Sequence, residues 1–89
     1  MNKIYKYKIE KDGGYVELPR TSNILRVDTQ GDDTCIWVSF DKYEEHSTIR
    51  RKFWIVVTGE EYPPNWVYIG TFFKGEYVFH LHEEFEERG

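Results

Sequence analysis

Apolar and polar positions alternate with a period of two along most of this chain, and no helical period holds over ten residues. The densest stretch is Trp66–His82, WVYIGTFFKGEYVFHLH. Its two apolar runs, Trp66–Phe73 and Glu76–His82, are joined by Lys74-Gly75. Val, Ile, Tyr, Phe and Trp suit a pleated surface, and a short break ending in Gly predicts a tight hairpin turn. Alternation places Tyr77, Phe79 and Leu81 on one face of the second arm and Val78, His80 and His82 on the other. In the first arm Val67, Ile69, Thr71 and Phe73 oppose Trp66, Tyr68, Gly70 and Phe72. This hairpin is expected in the middle of a sheet.

Earlier strands follow from the same pattern. Lys3–Glu10 carries Tyr5, Tyr7 and Ile9 on one face and Ile4, Lys6 and Lys8 on the other, as suits a lysine-guarded edge strand. Tyr15–Leu18 is a short strand ended by Pro19, and Ile24–Gln30 places Leu25, Val27 and Thr29 together. Thr34–Asp41 sets Ile36, Val38 and Phe40 against Cys35, Trp37 and Ser39, a central strand by its two apolar faces. Lys42–Thr48 is a polar surface excursion with room for one helical turn. In Arg50–Thr58, Phe53, Ile55 and Val57 oppose Trp54, Val56 and Thr58. Gly59–Asn65, with Pro63-Pro64, is the longest irregular connection. About six to seven strands at this spacing predict an all-β fold, a single small antiparallel sandwich or barrel with its central hairpin at 66–82. Residues 1–89 are read as one domain, with Glu83–Gly89 as a short acidic tail anchored by Phe85.

Composition narrows the function classes. Three Trp, seven Tyr and six Phe in 89 residues strengthen a core that a chain this short otherwise builds with difficulty. A net charge of −4 argues against sequence-independent binding of duplex nucleic acid and favours a basic partner over an acidic one. One cysteine, Cys35, excludes a disulfide framework. The apolar runs are too short to span a bilayer as helices, so a cytosolic location is expected and no membrane partner.

Candidate chemistry is sparse. His80 and His82, at i and i+2 of a strand, project from one face and are the only residues that suggest a metal, with His46 as a third ligand if its loop folds over the sheet. The run Gly75–Glu86 resembles the first metal motif of cupins, but with four residues rather than five between Gly75 and His80, and with no second His-bearing strand to follow. The simpler account is two strand histidines and no cofactor. Cys35 lies mid-strand among apolar neighbours, as a packing thiol does. Tyr5 and Tyr7 with Lys6 and Lys8 offer a platform for single-stranded nucleic acid, bases stacking on the rings and lysines following the phosphates, against the plainer account of an edge strand guarded by charge. Arg50-Arg51-Lys52 is a basic cluster that suits either a phosphate clamp or a charged guard beside a hydrophobic strand. The lip formed by Tyr62 and Trp66 beside two prolines, with Tyr68, completes the binding candidates: Arg50, Arg51, Tyr62, Trp66 and Tyr68.

The ordered series Val16-Glu17-Leu18-Pro19, Ile24-Leu25-Arg26-Val27, Cys35-Ile36-Trp37, Thr58-Gly59-Glu60, Tyr68-Ile69-Gly70-Thr71-Phe72 and Val78-Phe79-His80-Leu81 resembles a family of small phage and prophage proteins carrying a single domain of unknown function. The loop Glu60-Glu61-Tyr62-Pro63-Pro64 departs from that pattern. The resemblance implies viral origin and a compact β fold, and it brings no catalytic residues. The expected function is that of a non-enzymatic phage accessory protein that binds in the host cytoplasm, in host takeover or counter-defence. Its partner would be a host protein or a small nucleotide ligand that it sequesters. The alternatives are a small metal-dependent enzyme using His80 and His82, and a single-stranded nucleic-acid-binding β-barrel. Rings left over from the core, with Trp54, Trp66 and Tyr68 foremost, are expected to form a surface patch and to favour a homodimer.

Overall fold

Side-chain alternation is realised as seven strands in the computed structural model of the chain, which describes residues 1–85. In order they are β1 (Asn2–Lys8), β2 (Tyr15–Pro19), β3 (Asn23–Gln30), β4 (Asp33–Asp41), β5 (Thr48–Val57), β6 (Val67–Lys74) and β7 (Tyr77–Glu84). The excursion after β4 contains one 3-10 turn, Lys42–Glu44, whose Tyr43 N–H donates to the Asp41 carboxylate. All pairings are antiparallel, in a three-stranded sheet ordered β1-β4-β3 and a four-stranded sheet ordered β2-β5-β7-β6. The architecture is therefore a sandwich. β3 and β6, one edge from each sheet, pack against each other without pairing, so no barrel closes.

Between the sheets lies a core of Ile9, Leu18, Val27, Ile36, Val38, Phe40, Phe53, Phe72 and Leu81. Each such side chain contributes about 1.5–3 kcal/mol by leaving water. Tyr5 points inward and meets Phe40 edge-on, with centroids 5.2 Å apart. β1 is an edge strand as its lysines suggested: Lys3 pairs with Glu45, Lys8 with Asp33 and Glu10, and Lys6 donates to Gln30. Tyr5 and Tyr7 face the core side while Lys6 and Lys8 take the opposite face, so rings and ammonium groups do not form one platform. Cys35 is buried, in keeping with a packing thiol.

Two bulges alter the expected faces. A register shift between Ile24 and Arg26 leaves Leu25 half-exposed while Ile24 and Val27 turn toward the core. A second shift, between Tyr68 and Gly70, puts Tyr68, Thr71 and Phe73 on the outer face and Gly70 and Phe72 on the inner one. An extra residue in one strand inverts every face assignment beyond it. The hairpin also differs from expectation in place. β7 is interior, between β5 and β6, but β6 is an edge strand, because its free side packs on β3 instead of pairing. Gly70 makes that contact possible: a Cβ there would lie 2.8 Å from Val27 Cγ1. The hairpin turns at Gly75-Glu76, one residue later than the break in the sequence, with Gly75 at φ +60°.

Arg51, between Arg50 and Lys52 in sequence, points inward where its neighbours point out. Its guanidinium grips the Glu83 carboxylate with two bonds of 2.6 Å and donates to the Ser22 carbonyl at 3.1 Å. Glu83 is 2% exposed. Arg51 is thus turned into the sandwich, away from Arg50 and Lys52, because consecutive strand residues point to opposite faces. The proposed acidic tail is shortened at its start, since Glu83 and Glu84 belong to β7; Glu86 and Glu87 lie outside the described residues.

Candidate functional site

The outer face of the four-stranded sheet gathers most of the side chains that chemistry singles out. Antiparallel register sets its rows. Tyr15 stands beside Lys52 and Glu84; Trp54 beside His82 and Tyr68; Val56 beside His80 and Thr71. Over the middle row folds the connection between β5 and β6, whose prolines hold it extended. Trp66 stacks on Trp54 with centroids 4.9 Å apart and planes 8° from parallel. Tyr62 lies over Trp66 at 6.3 Å and over the His82 ring at 4.3 Å, and Tyr68 meets His82 edge-on at 5.7 Å.

His82 is consequently 2% exposed although it sits on an outer face. Its Nδ1 lies 3.3 Å from the His80 carbonyl. Toward β2 the stack continues through cations. Lys52 Nζ lies 5.2 Å from the Trp54 ring and 5.5 Å from the Tyr15 ring, and the Arg50 guanidinium lies 4.6 Å from Tyr15. Trp54 Nε1 donates to Glu84 at 2.8 Å, which spares the buried edge of the indole an unmet donor. The result is a band in which Arg50 and Lys52 alternate with Tyr15 and Trp54 and which continues as rings alone to Tyr68.

Beside that band His80 is held at both ring nitrogens. Nε2 is 2.8 Å from Thr58 Oγ1 and Nδ1 is 2.9 Å from Thr71 Oγ1. Thr71 Oγ1 is in turn 2.6 Å from the Tyr68 hydroxyl. Both nitrogens that a metal would need are engaged by hydroxyl groups. Among the described residues no group of three or more His, Cys, Asp or Glu side chains is arranged to hold a metal ion. His46, proposed as a third ligand, is exposed and lies beside Glu45, 3.6 Å away.

Of the five binding candidates, then, the fold brings Tyr62, Trp66 and Tyr68 together around His82. It places Arg50 on the same face at the β2 side and turns Arg51 into the sandwich. Lys52 joins the site from the basic cluster, and Tyr15, Thr58 and Thr71 join it without having been marked by sequence. Thr71 falls opposite His80 only from the observed turn, where 74 pairs with 77; the Lys74-Gly75 break read from sequence would place it opposite residue 78. A separate cavity of about 380 Å³ opens between β3 and β6, lined by Leu25, Arg26, Val27, Ile69 and Phe73 among others; apart from Thr71, none of the site residues lines it.

The fold and face together define a small all-β sandwich with an aromatic outer surface on which Arg50 and Lys52 stand beside Glu17 and Glu84. The chain belongs to the family described as Domain of unknown function (DUF7352), whose model matches residues 1–89. Comparison with curated proteins and with solved structures finds no match.

Proposed function

We propose that this protein acts by binding, as a non-enzymatic accessory protein of a phage, in host takeover or counter-defence. Its contact surface is the outer face of the β2-β5-β7-β6 sheet. One observation carries the reading: Tyr15, Trp54, Tyr62, Trp66 and Tyr68 are assembled outside the core, with Arg50 and Lys52 interleaved among them. A core-building role alone does not call for half-exposed rings; Tyr62 is 47% and Tyr68 56% exposed. Aromatic groups with Arg are the side chains that dominate binding energy at protein surfaces. The phage setting is supported by the ordered sequence pattern described above.

The target in this reading is a host protein or a small nucleotide signal in the host cytoplasm. Two copies would associate as a homodimer through the aromatic patch of Trp54, Trp66 and Tyr68. The test is capture with the tagged full chain from host lysate, followed by mass spectrometry of both proteins and small molecules. A specific, stoichiometric target supports the reading. Turnover of a lysate metabolite by the purified protein, abolished by His80→Ala in a folded variant, would replace it with an enzyme. Light scattering at high micromolar concentration tests the dimer, and a monomer mass ends that part.

A further inference from the structure

The hydroxyl chain at His80 has only one direction in which each of its four contacts is a hydrogen bond. The Val78 carbonyl can only accept, and Thr58 Oγ1 reaches it at 3.3 Å, so the Thr58 hydroxyl donates there. Thr58 Oγ1 must then accept from His80 Nε2–H. A neutral imidazole with its proton on Nε2 has Nδ1 as acceptor, and Thr71 donates to it. Thr71 Oγ1 accepts in turn from the Tyr68 hydroxyl. Four donors meet four acceptors, and the opposite direction loses the bond to Val78. Tyr68 spends its proton inward. Toward solvent its oxygen shows only lone pairs.

From this we infer that the Tyr62–Tyr68 corner of the surface receives a cationic N–H donor, a lysine or arginine side chain of a basic polypeptide. The inference rests on the binding role proposed above and names the chemistry of its partner. Three observations agree on it. The Tyr68 oxygen is a fixed acceptor on a half-exposed residue. The faces of Tyr62 and Tyr68 attract cations by their ring quadrupoles. The connection that carries Tyr62 also carries exposed Glu61, which makes no ion pair among the described residues, and the whole chain has a net charge of −4. Arg50 and Lys52 stand at the opposite, β2 side, where they leave the corner to an incoming cation. An anionic ligand would reverse this orientation and seek that basic side.

Two measurements on the full chain test it. In ¹⁵N-histidine spectra at neutral pH, neutral His80 should be the Nε2–H tautomer, and Thr58→Val should abolish that preference. In titrations with an acetylated tetra-arginine amide, ring signals of Tyr62 and Tyr68 should shift before those of Tyr15, and an acetylated tetraglutamate should leave them still. Tyr68→Phe keeps the ring and removes the acceptor, so it should weaken the arginine peptide several-fold, while the lost bond to Thr71 lowers the denaturant midpoint only modestly. An Nδ1–H tautomer, shifts centred on Tyr15, or tighter binding of the glutamate peptide overturns the inference. Should a lysate target still depend on this face in that case, the binding role stands and only the assigned chemistry falls.

Discussion

Trp54 and Trp66 stack with their rings 8° from parallel, and this contact pins the diproline connection onto the outer face of the sheet. Trp66 therefore has a structural share as well as a place in the binding band. Trp66→Ala should cost about 1–3 kcal/mol, less than the loss of a fully buried ring because the residue is only partly covered. His82 should become accessible at the same time, read as faster reaction of its ring with diethyl pyrocarbonate. An unchanged urea midpoint with His82 still protected would mean that the stack does not hold the connection.

The bidentate pair of Arg51 and Glu83 lies at one end of the sandwich interior. Removing one partner strands a buried charge, so Arg51→Ala or Glu83→Ala should each destabilise by about 3–5 kcal/mol. Replacing both, as Arg51→Met with Glu83→Leu, should recover most of that loss. Urea denaturation of the three variants checks the sign of the coupling. Additive losses in the double variant would show that the two side chains act independently.

Two glycines of the hairpin should fail for different reasons. At Gly75 nothing lies within 4 Å of a new Cβ, so Gly75→Val should lose about 1–3 kcal/mol purely from the φ of +60°. At Gly70 the obstacle is Val27, 2.8 Å from the new Cβ. Gly70→Ala should lose a similar amount through overpacking, and Val27→Ala should rescue it in part, whereas Val27→Ala should not rescue Gly75→Val. Midpoints of the four variants decide the matter.

Stability should fall at both ends of the pH scale through groups on and beside the three-stranded sheet. Hydrogen bonds from Arg26 and from the Thr29 N–H hold the Asp28 carboxyl below its ordinary 3.8, and Lys3 holds Glu45 below 4.5. A depressed folded value adds stability that is present above the unfolded value and is lost as pH falls through the folded one. The urea midpoint should therefore drop below about pH 4.5, and Asp28→Asn should flatten the lower part of the drop. Burial, the largest cause, raises the Tyr7 hydroxyl above 10.0. Its contribution is intact below that pH and is lost as pH rises through the folded value, so Tyr7→Phe should reduce the alkaline loss. A flat acid limb in the native protein would contradict the Arg26 and Lys3 contacts.

Legibility in the sequence followed the period of two. The faces of β7 were readable because alternation runs through it without a bulge, so Phe79 and Leu81 turn inward and His80 outward as expected. The same rule failed at Leu25 and Ile69, where one additional residue inverts the count and no local composition announces it. Tyr68 reaches Thr71 only because of the second bulge. The basic triplet reads as one surface feature, while alternation alone already sends its middle member, Arg51, to the other face, where it pairs with Glu83. The burial of His82 was not legible at all. It depends on Tyr62 and Trp66 arriving from a connection that has no period, and such tertiary contacts leave no mark on strand pattern.

The central claim, that the outer face of the four-stranded sheet is the binding surface, is tested most directly by comparing capture of one target by three folded proteins. These are the native chain, the double variant Tyr62→Ala with Tyr68→Ala, and Lys6→Ala on the outer face of the other sheet. Tyr62 and Tyr68 suit the purpose because both are half-exposed, so their loss should affect folding less than that of Trp66. With urea midpoints measured alongside, the expected result is at least tenfold weaker capture by the tyrosine double variant and native capture by Lys6→Ala. Native capture by the tyrosine double variant, or loss confined to Lys6→Ala, would contradict the account.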